Sequence, residues 1–221
     1  MTKAEFAKYI DHTLLRPDST RRDARRASEE AATHGFAACC VLPAWVADAA
    51  EILDGSSVAI CTVVGFPHGI APAQAKAVET AMAVADGATE IDTVINISAL
   101  KSGADLLVMD DLQAVVDAAG MGGAIVKVIL ECGLLTDKEK QRAAKLCVDA
   151  GAAFVKTSTG FAASGATVED VRLLRAAVGP DIGVKAAGGI RTVQDALALI
   201  EAGANRIGTS AGCKLLDAFS E

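Results

Sequence analysis

The feature that most constrains this 221-residue chain is a repeated succession of a helical pattern, a glycine and a short apolar run. It recurs at Thr33-His34-Gly35-Phe36, Asp86-Gly87-Ala88, Ala150-Gly151-Ala152 and Ala202-Gly203-Ala204. Each glycine reads as a helix C-cap feeding a strand. Strand-like runs follow such caps or turns at 37–42, 58–64, 90–95, 125–130, 154–156, 183–186 and 206–208. An eighth fits at 9–13, after a short N-terminal helix and before a helix that Ser19 or Thr20 would cap. Helices fit at 20–34, 44–53, 73–86, 105–119, 136–150, 167–178, 192–202 and 211–219, leaving no stretch for a linker or second domain. Eight βα units imply a closed parallel barrel, so the expected architecture is α/β, a (β/α)8 TIM barrel, as a single domain over 1–221. A doubly wound open sheet uses the same alphabet, but its usual opening GxGxxG fingerprint is missing.

Composition agrees with close-packed helix-on-strand layers. Apolar residues make up 52% and aromatics only 4%, with 20 glycines. A formal charge of -7 offers no basic field for nucleic acid. The Arg21-Arg22-Asp23-Ala24-Arg25-Arg26 run is followed by Glu29-Glu30 and reads as a solvated helix face. No leader-like apolar segment and no membrane-length run appears, so the expectation is a soluble, cytoplasmic protein with no membrane partner. The six cysteines form no CxxC pair and read as reduced core residues. His12, His34 and His68 make no recognisable metal set, so no metal is expected.

Within the strands, Lys127, Lys156 and Lys185 interrupt otherwise apolar runs at equal intervals of 29 residues, about one βα unit. Equal spacing predicts three ammonium groups at similar heights on consecutive strands, whose axes lie roughly 5 Å apart. One such lysine could reach the barrel mouth or pair with a carboxylate; three in register need an explanation. A cationic neighbour and a low dielectric both disfavour protonation, which prepares an amine to attack a carbonyl. Asp92, in Glu90-Ile91-Asp92-Thr93, supplies a carboxylate to the same cavity and is the expected proton shuttle. Glu90 is the alternative acid, but it opens its strand, whereas barrel chemistry gathers at the C-terminal strand ends.

Gly-rich loops follow the seventh and eighth strands, at Ala187-Gly188-Gly189-Ile190-Arg191 and Gly208-Thr209-Ser210-Ala211-Gly212, where barrels commonly hold phosphate. Gly188, Gly189 and Gly208 leave the backbone N–H groups unobstructed, while Ser210 and the start of the last helix add donors. Thr159 and Gly160, in the turn after Lys156, could complete the cradle.

Taken together, Tyr9-Ile10-Asp11-His12-Thr13-Leu14-Leu15, Gly65-Phe66-Pro67-His68-Gly69, Glu90-Ile91-Asp92, Phe154-Val155-Lys156-Thr157-Ser158-Thr159-Gly160 and Val184-Lys185-Ala186-Ala187-Gly188-Gly189-Ile190-Arg191 resemble the deoxyribose-phosphate aldolases over nearly the whole chain. Spacing alone does not rank the lysines. The resemblance implies that Lys156 forms a Schiff base, that Lys185 perturbs it and assists proton transfer, and that Asp92 donates and accepts protons through water. It implies reversible cleavage of 2-deoxy-D-ribose 5-phosphate to D-glyceraldehyde 3-phosphate and acetaldehyde, with no cofactor. It also places Asp11, Thr13, Cys40 and Lys127 around the cavity, orienting substrate hydroxyls or steadying the charge network.

Two departures concern phosphate binding and proton transfer. Phe161-Ala162-Ala163-Ser164 lacks the lysine that some relatives place near the phosphate, and the sequence ends at Glu221 without the terminal tyrosine of others. The expected partners are a small sugar phosphate and an aldehyde, and a homo-oligomer, a dimer, is the default for such barrels. A phosphate-binding barrel isomerase would share the Gly-rich loops but rely on carboxylate or imidazole pairs. A non-catalytic sugar-phosphate-binding protein would have no use for Lys156, Lys185 and Asp92 together.

Overall fold

A computed structural model describes residues 1–220. Among them, eight parallel strands close into one barrel in chain order. They are β1 (Ile10–Leu14), β2 (Ala38–Val41), β3 (Ala59–Val64), β4 (Glu90–Val94), β5 (Ile125–Ile129), β6 (Phe154–Lys156), β7 (Gly183–Ala187) and β8 (Arg206–Thr209). Around them run α2 (Arg21–His34), α3 (Val46–Leu53), α4 (Ala73–Ala85), α6 (Asp105–Gly120), α7 (Asp137–Asp149), α8 (Val168–Val178), α9 (Val193–Glu201) and α10 (Gly212–Ala218). A short α1 (Lys3–Ala7) precedes the first strand, as expected, while α5 (Ile97–Lys101) has no counterpart in the sequence reading. The closed ladder, with β1 hydrogen-bonded to both β2 and β8, rules out the open sheet.

Local chemistry sets the element ends. Thr20 and Thr136 close reciprocal capping boxes with Asp23 and Glu139, and Thr167 and Thr192 accept backbone N–H groups at their helix starts. Each such cap is worth about 1 kcal/mol. At the other end, Gly35 adopts φ 63°, so its N–H and that of Phe36 turn back onto Ala32 and Ala31. The same paired bonds follow α4, α7 and α9, at Gly87-Ala88, Gly151-Ala152 and Gly203-Ala204. This is the physical content of the repeated glycine signal.

Alternation along the strands divides the interior in two. Outward residues such as Ile10, Ile91, Val128, Val155, Val184 and Ile207 pack beneath the helices in the main core. Inside the barrel, Leu15, Ala38, Cys40, Cys61 and Val63 make a small apolar wall on the β1–β3 side. The remaining wall is charged.

The lysines are not level. Lys156 lies opposite Lys185 across β6–β7, but across β5–β6 Lys127 pairs with Phe154, and Ile129 faces Lys156. Lys127 therefore starts two residues deeper, because closing a barrel requires the register to stagger from strand to strand. Equal sequence spacing could not report that stagger.

Candidate active site

Charged side chains converge on Asp92, which is wholly buried on β4. Its Oδ2 accepts from Lys156 Nζ at 2.7 Å and Lys185 Nζ at 2.8 Å, and its Oδ1 accepts from Lys127 Nζ at 2.8 Å. The long side chain of Lys127 thus makes up for its deeper start. Asp11 Oδ2 lies 2.6 Å from Lys185 Nζ, and its Oδ1 accepts from Arg206 at 2.7 Å. Glu90 joins Arg206 at 3.0 Å to Lys127 at 2.7 Å. Burial alone would push the Asp92 carboxyl up, but Lys127, Lys156 and Lys185 outweigh it and hold it well below the usual carboxylate range. Asp11 is likewise drawn down to about 2, against its burial, by Lys185, Lys127 and Arg206.

The same balance acts on the two lysines that neighbour Lys156. Burial favours neutral amines at Lys127 and Lys185, yet the surrounding carboxylates, chiefly Asp92 for the first and Asp11 for the second, push both above the ordinary lysine range. Both are ammonium ions. Carboxylates outweigh repulsion because every cation touches at least one.

Lys156 stands apart by geometry. Lys127, Lys185 and Arg206 each contact two carboxylates or more, whereas Lys156 has only Asp92, shared with the other two lysines. Among the ladder lysines it alone lines the cleft of about 380 Å³ at the C-terminal ends of the strands. Three carboxylates thus face four cations, and the least supported one opens to the ligand space.

Thr13, Thr159, Gly160, Gly188, Gly189, Gly208 and Ser210 line the same cleft. Gly208 also makes room for the ladder, since a Cβ there would lie 3.1 Å from Lys185 Cε and 3.0 Å from the Ala187 Cβ. The hydroxyls of the loops are turned away from the cleft. Thr157 donates to the Ala187 carbonyl, Thr209 to the Ile190 carbonyl and Thr159 to Glu131. Ser210 and the arginines Arg16 and Arg191 also line the cleft.

A family model described as DeoC/LacD family aldolase matches residues 6–218. The chain belongs to this family. The aldolase is 56% identical over 212 residues to the deoxyribose-phosphate aldolase of Geobacillus sp. (strain WCH70), covering 96% of this chain and 95% of that one. It is 57% identical over 210 residues to that of Streptococcus uberis, covering 95% and 94%. Among solved structures, the tetrameric deoxyribose phosphate aldolase of Aeropyrum pernix superposes with a TM-score of 0.92 at 37% identity, over 99% of this chain and 92% of that one. The chain is therefore an enzyme, a lyase of the aldolase class, acting on a small molecule.

Of the residues expected at the site, Asp11, Asp92, Lys127 and Lys185 lie beneath the cleft floor, wholly buried, with Cys40 in the adjoining apolar wall. Of the two roles open to Asp11 and Lys127, their ion pairs favour steadying charge over touching substrate. Cys61 was read as core, and burial keeps its thiol protonated; it sits 3.2 Å from Asp92 Oδ1 and 3.3 Å from Lys127 Nζ. Cys40, Cys61 and Asp92 cluster closely, and the Lys127 ammonium bonds two of them, Cys61 and Asp92.

Sequence reasoning missed Arg206, which the β7–β8 register sets opposite Lys185, and Arg16 and Arg191, which line the cleft. It also missed a fourth buried lysine. Lys76 of α4 is wholly buried, donating to Asp111 Oδ2 at 2.6 Å and to the Val94 carbonyl at 2.8 Å beneath Gly65, where a Cβ would lie 2.6 Å from its Cε. All six cysteines are free, five buried and Cys213 half-buried, in keeping with the reduced-core reading. Among the described residues, no helix is long and apolar enough to cross a membrane.

Proposed function

We propose that this aldolase reversibly cleaves 2-deoxy-D-ribose 5-phosphate to D-glyceraldehyde 3-phosphate and acetaldehyde through a Schiff base on Lys156. The observation that carries this reading is the placement of Lys156: a buried amine with one shared carboxylate, opening onto a cleft walled by Gly-rich loops. The Lys156 ammonium first passes a proton to water in the cleft, the free amine attacks C1 of the open-chain sugar, and the carbinolamine takes a proton back through the Lys185–Asp92 pair and loses water to leave an iminium. The iminium draws in the C2–C3 bonding electrons while the C3 hydroxyl gives up its proton, releasing glyceraldehyde 3-phosphate and leaving an enamine. Protonation at C2 and hydrolysis then return acetaldehyde and the amine. The iminium is the electron sink, so the chemistry calls on no metal or organic cofactor.

Lys185, held charged between Asp11 and Asp92, supplies the fixed positive neighbour and a proton relay. Asp92, kept ionised at rest by three ammonium groups, is poised to take up a proton and pass it on through water as the charge on Lys156 changes. Gly188, Gly189, Gly208 and Ser210, with Arg191, hold the phosphate at the far end, as barrel enzymes do after their last two strands. Thr13 lies beside the sugar hydroxyls. The family and the relatives' names support the substrate, and a cytoplasmic, single-domain homo-oligomer, a dimer, completes the reading; light scattering on the purified enzyme tests the oligomeric state.

The mechanism is tested by intact mass after mixing enzyme with acetaldehyde and borohydride. A reduced adduct on the wild type that vanishes in Lys156→Ala is expected. No adduct on the wild type overturns the Schiff-base mechanism.

A further inference from the structure

The loop after β5 holds a residue that this chemistry leaves unused. Glu131 has φ 54° and ψ 62°, and among the described residues it is the only non-glycine with positive φ. Such a backbone is unfavourable for a residue with a Cβ and persists only where its surroundings fix it. The Glu131 side chain is 3% exposed, and its Oε2 accepts both the Thr159 N–H at 3.2 Å and the Thr159 hydroxyl at 2.5 Å. The next residue, Cys132, donates its N–H to the Thr157 carbonyl at 2.8 Å. Thr159 Oγ1 in turn accepts the Phe161 N–H at 3.1 Å.

The turn that follows Lys156 is therefore pinned from behind by residues 131 and 132. Its far side faces ligand: Thr159 and Gly160 line the cleft, and a Cβ on Gly160 would lie 3.9 Å from Gly188 Cα. The turn and the Gly188-Gly189 loop form one wall. Both donors of Thr159 point to Glu131, so Thr159 acts as the anchor of that wall instead of contacting the oxyanion itself.

We propose that Glu131 is a positioning residue that sets the geometry of the phosphate end of the cleft, and with it the preference for phosphorylated over unphosphorylated sugar. The inference rests on the substrate reading above. Its strained backbone is the cost of aiming a buried carboxylate at the Thr159-Gly160 turn from outside the cleft, where the carboxylate does not face the phosphate.

The test compares Glu131→Gly with Glu131→Gln. Glycine accepts the left-handed backbone without strain and removes the side chain with its acceptor, while glutamine keeps the side chain's bulk and one acceptor oxygen. The readout is the ratio of kcat/KM for 2-deoxyribose 5-phosphate to that for 2-deoxyribose. We expect Glu131→Gly to lower this ratio about tenfold, mainly through KM of the phosphorylated sugar, and Glu131→Gln to hold it within about threefold of wild type. An unchanged ratio in Glu131→Gly, or parallel losses on both sugars, overturns the inference and leaves Glu131 a merely structural strut. A wild type with no borohydride adduct, or with no preference for the phosphorylated sugar, instead removes the substrate reading and this inference with it.

Discussion

Two of the buried sets of charge in this molecule behave oppositely. Between α4 and α6, Asp111 meets one cation, Lys76, and burial wins, pushing its carboxyl above the usual range despite that partner. Inside the barrel, Asp92 is more deeply buried but meets three ammonium groups, and the cations win. Burial is common to both; the number of partners decides the sign. The first is a closed pair, completed by the Val94 carbonyl, that braces the end of β4 against α4 under the Gly65 loop. The second is a network with one cation in excess and one member at a cleft, and so it has a proton and an amine to spare. A buried ion pair alone is weak evidence of function; an unbalanced one opening to solvent is better evidence.

The comparison is broken most sharply at Lys156. Lys156→Ala should cost on the order of a thousandfold or more in kcat, yet leave the melting temperature close to wild type, since three cations then face three carboxylates. A large loss of stability in calorimetry would mean that the network is structural, like the other pair. The reverse holds at Lys76. Lys76→Met strands Asp111 and should destabilise by about 3 kcal/mol in urea titration, with activity per folded molecule retained. The double variant Lys76→Met/Asp111→Leu should recover most of that loss.

Asp11 gives a smaller, pH-resolved effect. Its folded pKa of about 2 lies below the ordinary 3.8, so its stabilisation is fully present above about pH 4 and is lost as pH falls towards 2. Asp11→Asn should therefore be less stable than wild type by about 2 kcal/mol near neutrality, and the gap should close in acid. A gap that persists at pH 2 would assign the loss to packing. The least effect belongs to the exposed Lys101–Glu139 contact at 3.1 Å, where Lys101→Ala should change stability by less than about 0.5 kcal/mol.

The barrel was legible because its punctuation is local: threonine caps, glycine stops and strand runs each act within a few residues. Lys156, Lys185 and Asp92 were legible because charge inside an apolar strand is conspicuous. What escaped depends on the third dimension. The two-residue stagger between β5 and β6 belongs to barrel closure, so the ladder was drawn level when it is not. Lys76 sits in the helical stretch Ala73–Ala85, where a lysine every turn or so is ordinary, and only the packing of α4 on α6 buries it. Arg206 opens its strand and looked peripheral until barrel closure set it beside Asp11 and Glu90. Glu131 carries no compositional mark at all, because a left-handed glutamate reads like any other in sequence.

The excess cation beneath the cleft also matters for ligand arrival. The chain carries a formal charge of -7, so a phosphate dianion approaching through solvent is repelled overall. Surface charges more than about 8 Å away, the screening distance at physiological salt, contribute little, so an anion at the mouth feels mainly the local field. The low-dielectric walls channel the net positive field of the network outward through the cleft that Lys156 lines. The enzyme is thus an anion that is attractive to anions at a single aperture, and moderate salt should speed capture of the phosphorylated sugar by quenching the far field before the near one.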